Sequence, residues 1–597
     1  MSRKQKIALI ISGVLILVLI IALAVVALVV SAVRGSEPVV QNNSVLTLKI
    51  EGSLPDYVPE DPIRKIFGEE DQSLTSLLMQ FKKAKTDKRI SAILLDVDFS
   101  EAGWGKADEI REAIADFRTS GKPVYAYIEM GMNKEYYIAT ACDKVFVPPP
   151  GDLFINGFAA DVMFFRGSLD KLGIYPDVFQ IGKYKNAPDQ FTRKNMSDAH
   201  KEVMNSIVDD LYNRYVNAIA SSRHKSADEV RALVDSAPYT APKAKELGLI
   251  DGASYKDEVE KELKQRLGYK DSDELHVAKA SEYKQVTPES LGLNKGERIA
   301  VIYASGTIGS GKSNDSPYGS QSVGSDTVVK AIKDAADDKR IRAIVLRVDS
   351  PGGSGTASDL IWHAIENAKQ KKPVVVSMSD LAASGGYYIA CNANKIVAEP
   401  STITGSIGVF AGKPVMKGFY DWLGISNEYV LRGKNAGIFR ETEQFSPEER
   451  AKFEEVIKSV YYDNFVPKVA KGRGRDVEYV DSIGQGRVWM GSQAKENGLV
   501  DEFGGLDHAI EVAKQLAKLP ADKGVRRVIF PVPRSFLEQI FNKDEEDDEA
   551  TAKLQQQRAV FAALPEDVRR TLMYANMLDK MKRGEVMLML PFELRIK

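Results

Sequence analysis

The stretch "DKRISAILLDVDFSEAGW" that begins at Asp87 is echoed by "DKRIRAIVLRVDSPGGSG" at Asp338, an offset of 251 residues (338 − 87). Further echoes follow in the same order. "GKPVYAY" answers "KKPVVVS", "YYIA" at Tyr136 answers "YYIA" at Tyr387, "GKYKNA" answers "LRGKNAG", and "KELGLIDG" answers "KENGLVDE". Self-similarity at one spacing marks a duplicated structural unit. The body of the chain is therefore two copies of one domain, not a single core spread through 597 residues.

Each copy alternates short apolar strands with helical stretches. "VLTLKI", "AILLDV" and "VYAYI" in the first copy correspond to "IAVIYA", "AIVLRV" and "PVVVSM" in the second. Continuous apolar strands separated by helices predict an α/β fold, with a mostly parallel sheet covered on both faces. The copies span residues 45–290 and 297–530. In the second, "SPEER" opens a long helix, with Ser446 as N-cap, Pro447 in the first turn and Glu449 closing a capping box. Val456, Ile457 and Val460 are expected on its buried face. "GSGKSNDSPYGSQSVGSD", residues 309–326, reads as a polar connector. Residues 543–597 open with the acidic run "KDEEDDE" and end in "VMLMLPFELRIK", an apolar tail suited to docking on the body or on a membrane.

Residues 1–36 have another character. Arg3, Lys4 and Lys6 precede an uncharged apolar run from Ile7 to Val33. As a helix this run reaches roughly 40 Å, more than the roughly 30 Å hydrocarbon core of a bilayer. It exceeds the apolar core of a secretory signal peptide, and the flanking positive charges keep the N-terminus cytoplasmic. The expectation is a single-pass anchor in the cytoplasmic (inner) membrane, with the body on the periplasmic side. A net charge of −2 gives no basic excess with which to hold nucleic acid. The two cysteines, Cys142 and Cys391, make no disulfide framework and read as small buried hydrophobes. No HExxH, CxxC or carboxylate cluster suggests a metal, and nothing implies a cofactor.

The duplication supplies its own control. Ser384 of "AASGGYY" corresponds to Asn133 (384 − 251), and the glycines of "DSPGGSG" have no counterpart in "DFSEAGW". Ser406 of "TGSIGV" falls on Ile155 or Asn156. These features vanish together from the first copy, and together they make chemical sense. A serine at a helix N-terminus sits beside unpaired amides that stabilise developing negative charge. The amides of Gly385 and of Gly352 or Gly353 would form an oxyanion hole for acyl transfer. No histidine stands near enough in sequence to suggest itself as the base. A desolvated lysine can serve, oriented by a hydroxyl such as that of Ser406. Lys185 of "GKYKNA" and Lys434 of "RGKNAG" occupy equivalent positions, and arithmetic does not choose between them.

The anchor, the tandem repeats, "DSPGGS", "AASGGYY", "STITGSIGVF" and "GKYKNA" together resemble the long-form signal peptide peptidases of the protease IV type, membrane-anchored Ser/Lys proteases on a Clp/crotonase-like fold. The resemblance implies two tandem Clp/crotonase-like domains and a tetrameric assembly. Ser384 would be the nucleophile and Lys185 the general base, because "GKYKNA" matches the family segment better; Lys434 stands as the alternative. Ser406 would hold the lysine, and the glycine amides would bind the oxyanion. Implied substrates are cleaved signal peptides and other apolar, unstructured peptides. An inactive membrane-anchored scaffold of the same fold is the competing reading, against which the retained serine, both Gly-Gly turns and the lysine all count.

Overall fold

In the computed structural model, residues 39–59, 72–313, 322–531 and 586–590 are described, with residues 13, 560, 561 and 564 in isolation. Each repeat builds a sheet from strands in the same spatial order. The first sheet runs Val277–Lys279, Ser44–Gly52, Ile90–Ser100, Val124–Tyr127, Lys144–Val147, Gly252–Ala253, parallel throughout. The second repeats this order as Val525–Phe530, Glu297–Ser305, Ile341–Ser350, Val374–Ala383, Lys395–Ala398 and Glu502–Phe503. Two further strands, Ile403–Gly405 and Val488–Met490, extend the end of the second sheet near the serine.

The strands read as nearly continuous apolar runs because both faces are covered. In the second repeat, Ile344, Leu346 and Val348 face one core with Ala357, Ile361 and Ile365 of the helix Gly355–Lys369. The intervening Ala343 and Val345 face Leu506, Ala509 and Ile510 of the helix Leu506–Leu516 on the other side. The capping box at Ser446 forms: Ser446 Oγ accepts from Glu449 N at 3.2 Å, and Glu449 Oε2 accepts from Ser446 N at 2.9 Å. The buried face of that helix departs from the expectation, however. Val456 is 52% exposed, and Phe453, Ile457, Tyr461 and Phe465 carry the core. The stripe follows Phe453 and Ile457, one helical turn apart, and Val456 beside them points away from the core. The helix Pro447–Lys458 then runs on into a wider π-helical turn over Ser459–Phe465.

A third, mixed sheet ties the repeats together. Tyr175–Ile181 leaves the first repeat and pairs antiparallel with Val409–Val415 of the second, Ile181 opposite Val409 and Tyr175 opposite Val415. Thr307–Gly309, which leads into the polar connector, and Ser322–Gly324 within it also join this sheet. The C-terminal strand Met587–Met589 enters it between Gly352–Ser354 and Val409–Val415. The tail thus docks on the body at these residues. A buried ion cluster seals the seam between the repeats: Arg347 binds Asp56 at 2.9 Å and also Glu109, both from the first repeat. Burial pushes the Asp56 carboxyl up, but Arg347 and Lys106 outweigh it and hold it below its ordinary value. The cysteines Cys142 and Cys391 are buried free thiols. Residues 7–33 fall outside the description, Gly13 excepted; among the described residues no helix is long and apolar enough to cross a membrane.

Candidate active site

Ser384 stands between the strand Val374–Ala383 and the helix Gly385–Ala390, with φ 54° and ψ −110°. A non-glycine residue rarely adopts this backbone, and such strain is held only where the surroundings over-determine it. Here Ser384 N donates to Gly405 O at 2.8 Å and Ser384 O accepts from Tyr388 N at 2.8 Å. The two glycines that follow are needed for contact. A side chain on Gly385 would press on Ser358 Oγ and the Gly352 backbone, and one on Gly386 would meet Ser350 O at 2.6 Å.

Lys185 Nζ lies 2.9 Å from Ser384 Oγ, 3.0 Å from Ser406 Oγ and 3.4 Å from Ser406 O. Ser384, Lys185 and Ser406 are all fully buried. The serine hydroxyl also donates to Gly408 O at 3.4 Å, and among the described residues no histidine bonds to it. Burial alone drives the Lys185 amine well below its ordinary value, with no carboxylate opposing it. Lys434 is elsewhere: its side chain is 74% exposed and pairs with Glu448 at 3.0 Å. Both lysines follow equivalent chain segments, but only the first-repeat segment forms the strand Tyr175–Ile181, which carries Lys185 across the seam to the serine.

The glycine turn after Ile341–Ser350 completes the constellation. Gly352 (φ 98°) and Gly353 (φ 155°) both take conformations that favour glycine. Gly352 donates its amide to Ser350 Oγ at 3.2 Å. The Gly353 amide lies 3.1 Å from where a Gly385 side chain would begin, at the position that faces Leu588 of the tail strand. Gly353 and Gly385 thus bring two backbone amides to one place beside the serine.

The C-terminal strand crosses this place. In its antiparallel register Gly353 faces Leu588 and Gly352 faces Met589. Leu590 N donates to Pro351 O at 2.7 Å, and Gly355 N donates to Val586 O at 3.0 Å. Lys185 Nζ donates to Met589 O at 2.6 Å. Leu588 is fully buried in the second-repeat core, and Met587 packs with Ala187 and Phe410. Sequence reasoning did not place this strand in the site, although the unbroken apolar run "VMLML" was a signal for one. It also missed Gly408 and Gly486, which pack on Lys185: a side chain on Gly408 would sit 3.1 Å from Lys185 Cδ, and one on Gly486 would strike the Lys185 backbone.

A strained serine beside a desolvated lysine and two converging amides belongs to the serine proteases. The profile of peptidase family S49 matches residues 116–270 and 366–520, one stretch in each repeat, and the chain belongs to that family. It is 37% identical over 505 residues to "Serine protease SPPA, chloroplastic" of Arabidopsis thaliana, covering 84% of this chain and 73% of the relative. It is 36% identical over 472 residues to "Protease 4" of Salmonella typhi, covering 76% and 75%. With "Protease 4" of Haemophilus influenzae the identity is 31% over 513 residues, covering 81% of each. The resemblance carried by the motifs therefore extends over most of the chain. The protein is a serine endopeptidase built from two tandem α/β domains, each carrying one stretch of the peptidase S49 family.

Proposed function

We propose that hydrolysis proceeds by a Ser384/Lys185 dyad through an acyl-enzyme. The observation that carries this reading is the 2.9 Å approach of a fully buried lysine amine to the serine hydroxyl. Neutral Lys185 takes the Ser384 proton as Oγ attacks the scissile carbonyl. The oxyanion accepts from the Gly385 and Gly353 amides. Lys185, now an ammonium held by Ser406 Oγ, gives its proton to the departing amine. Water then enters and gives a proton to Lys185 as its oxygen attacks the ester carbonyl. Lys185 returns that proton to Ser384 Oγ as the C–Oγ bond breaks.

The substrates are extended, apolar peptides, cleaved signal peptides among them. Support comes from the tail strand, which runs past the serine with its backbone paired on both sides and its side chains in apolar surroundings. This is peptide recognition by strand addition, in which backbone bonds give affinity and side-chain pockets give choice. The apolar run 7–33 anchors the protein, and the body acts on the periplasmic side of the cytoplasmic membrane.

The working form is a tetramer. Support lies in a segment that pairs with no strand among the described residues. Where the first repeat has its bridging strand Tyr175–Ile181, the second has residues 425–431, with Val430 85% exposed and Trp422 just before them 72% exposed. A second copy's first repeat fits there, as the second repeat of the same chain fits Tyr175–Ile181.

The full-length protein in detergent, given casein, tests the mechanism. Loss of hydrolysis in Ser384→Ala and in Lys185→Met, with Lys434→Met unaffected, is expected. Hydrolysis that survives Ser384→Ala would refute the dyad.

A further inference from the structure

Beneath the serine and the glycine turn, a first-repeat lysine is buried against two second-repeat carboxylates. Lys106 Nζ lies 2.8 Å from Asp349 Oδ2 and 3.3 Å from Asp380 Oδ2, with the lysine side chain 8% exposed. Backbone amides of the same turn hold Asp380 as well: Lys106 N donates to Oδ1 at 2.8 Å and Gly103 N to Oδ2 at 2.9 Å. Asp349 stands just before the Gly352–Gly353 turn, and Asp380 just before Ser384.

These carboxylates flank a break in the ladder. Val348 pairs with Met378, but Ser350 pairs with Ala382, so Asp349 alone faces Ser379, Asp380 and Leu381. At such a bulge the ladder hydrogen bonds no longer set the spacing of the strands. Side chains join the strands across this interruption before pairing resumes at Ser350 and Ala382. Arg347 donates to Ser377 Oγ and Ser379 Oγ, each at 2.8 Å. Nearer the oxyanion turn and the nucleophile stands Lys106, which grips one carboxylate on each strand.

The charges require that grip. Burial pushes the Asp349 carboxyl up to about 6, with Asp56 and Asp380 adding to the effect against the pull of Lys106. Without the cation, two half-buried carboxylates would face each other and push the strands apart. The other repeat has no such arrangement. Lys106 corresponds to the buried Ala357, and Asp349 and Asp380 correspond to half-buried Asp98 and exposed Glu129.

We propose that Lys106 is a positioning residue for catalysis: by drawing Asp349 and Asp380 together it fixes the distance from Ser384 to the oxyanion amides. The proposal rests on Ser384 as nucleophile and on the glycine amides as oxyanion donors.

The full chain carrying Lys106→Met tests it. The expected result is a kcat lowered by about 100-fold, the scale of an ångström-sized misplacement, with KM little changed. Lys106→Arg, which keeps the charge, recovers most of the loss. Adding Asp349→Asn to Lys106→Met recovers part of it, because one of the opposed charges is gone. A role confined to stability would lower Tm without this split and without that recovery. A folded Lys106→Met protein with wild-type kcat, or with its loss confined to KM, overturns the proposal. Should Lys106→Met not fold, Lys106→Arg is compared with Asp380→Asn: a selective loss of kcat in Asp380→Asn supports the grip, and equal kcat in the two overturns it. If instead Ser384→Ala keeps full hydrolysis, the dyad reading itself fails.

Discussion

The two repeats run their strands in the same order and differ most at one turn. In the second, Ser384 is strained at φ 54° and heads a helix beside free-standing glycines. In the first, the equivalent Asn133 is the opening residue of its helix, Met132 before it has an ordinary φ of −96°, and the Asn133 side chain donates to Gly157 O at 2.8 Å. The amides differ in employment too. At the turn where the second repeat gathers its proposed oxyanion donors, the first repeat gives the Gly103 and Lys106 amides to the Asp380 carboxylate. At this turn one copy pairs with the tail strand, while the other holds a permanent anion from its neighbour. The first repeat has exchanged catalysis for support, supplying the lysine, its strand and the charges at the seam.

Several substitutions can break or sharpen this contrast. The largest effect is expected from Ser384→Ala, which should lower kcat by roughly 10⁴-fold or more in a casein or peptide assay. The mirror change Asn133→Ser should create no second site, because its turn lacks both the strain and the glycines. The pH profile belongs to the same comparison. Lys185 must be neutral to accept a proton, and burial holds its value low, so kcat/KM should fall as pH drops through that lowered value. A profile unchanged in Lys434→Met is expected, and an altered one would reassign the base.

A smaller effect is expected at the turn. Gly352→Ala places a Cβ where it collides with the Leu588 carbonyl oxygen and crowds the Gly385 amide at 2.7 Å. A loss in kcat of about 10²–10³-fold, the size seen when one oxyanion donor is lost, is expected from rapid-quench measurements. Ending the chain at Glu585 removes the strand that lies in the groove. It should raise kcat/KM on a short peptide by about 10-fold, as expected when a tethered competitor is withdrawn. The smallest effect is one of stability. A buried lysine whose value is lowered on folding must give up a proton that the unfolded chain keeps, so stability rises with pH up to the unfolded value near 10.4. Lys185→Met should therefore raise Tm by a few degrees near pH 7, with the gain shrinking as the pH approaches about 10.

Much of this was legible in the sequence because it is local. The strands announce themselves as apolar runs, and Ser384 with its glycines is a contiguous motif whose loss from the other copy is visible by subtraction. The residues alone did not choose the lysine, and only the family resemblance pointed to Lys185. The choice depends on Tyr175–Ile181 meeting Val409–Val415, a pairing between repeats that no local pattern encodes. Lys185 and Lys434 sit in similar words but in different tertiary settings. Val456 was misplaced because the buried stripe follows Phe453 and Ile457, one helical turn apart, and Val456 beside them points away from the core. Lys106 was hidden because its partners lie far along the chain, in the other repeat.

The tail strand has a consequence for selectivity. A peptide that fits the groove must also displace Met587–Met589, whose supply is fixed by its tether and does not fall on dilution. What decides cleavage is then the difference between two strands competing for the same backbone, not the affinity of either. The C-terminus sets a threshold, below which a well-shaped peptide goes uncut.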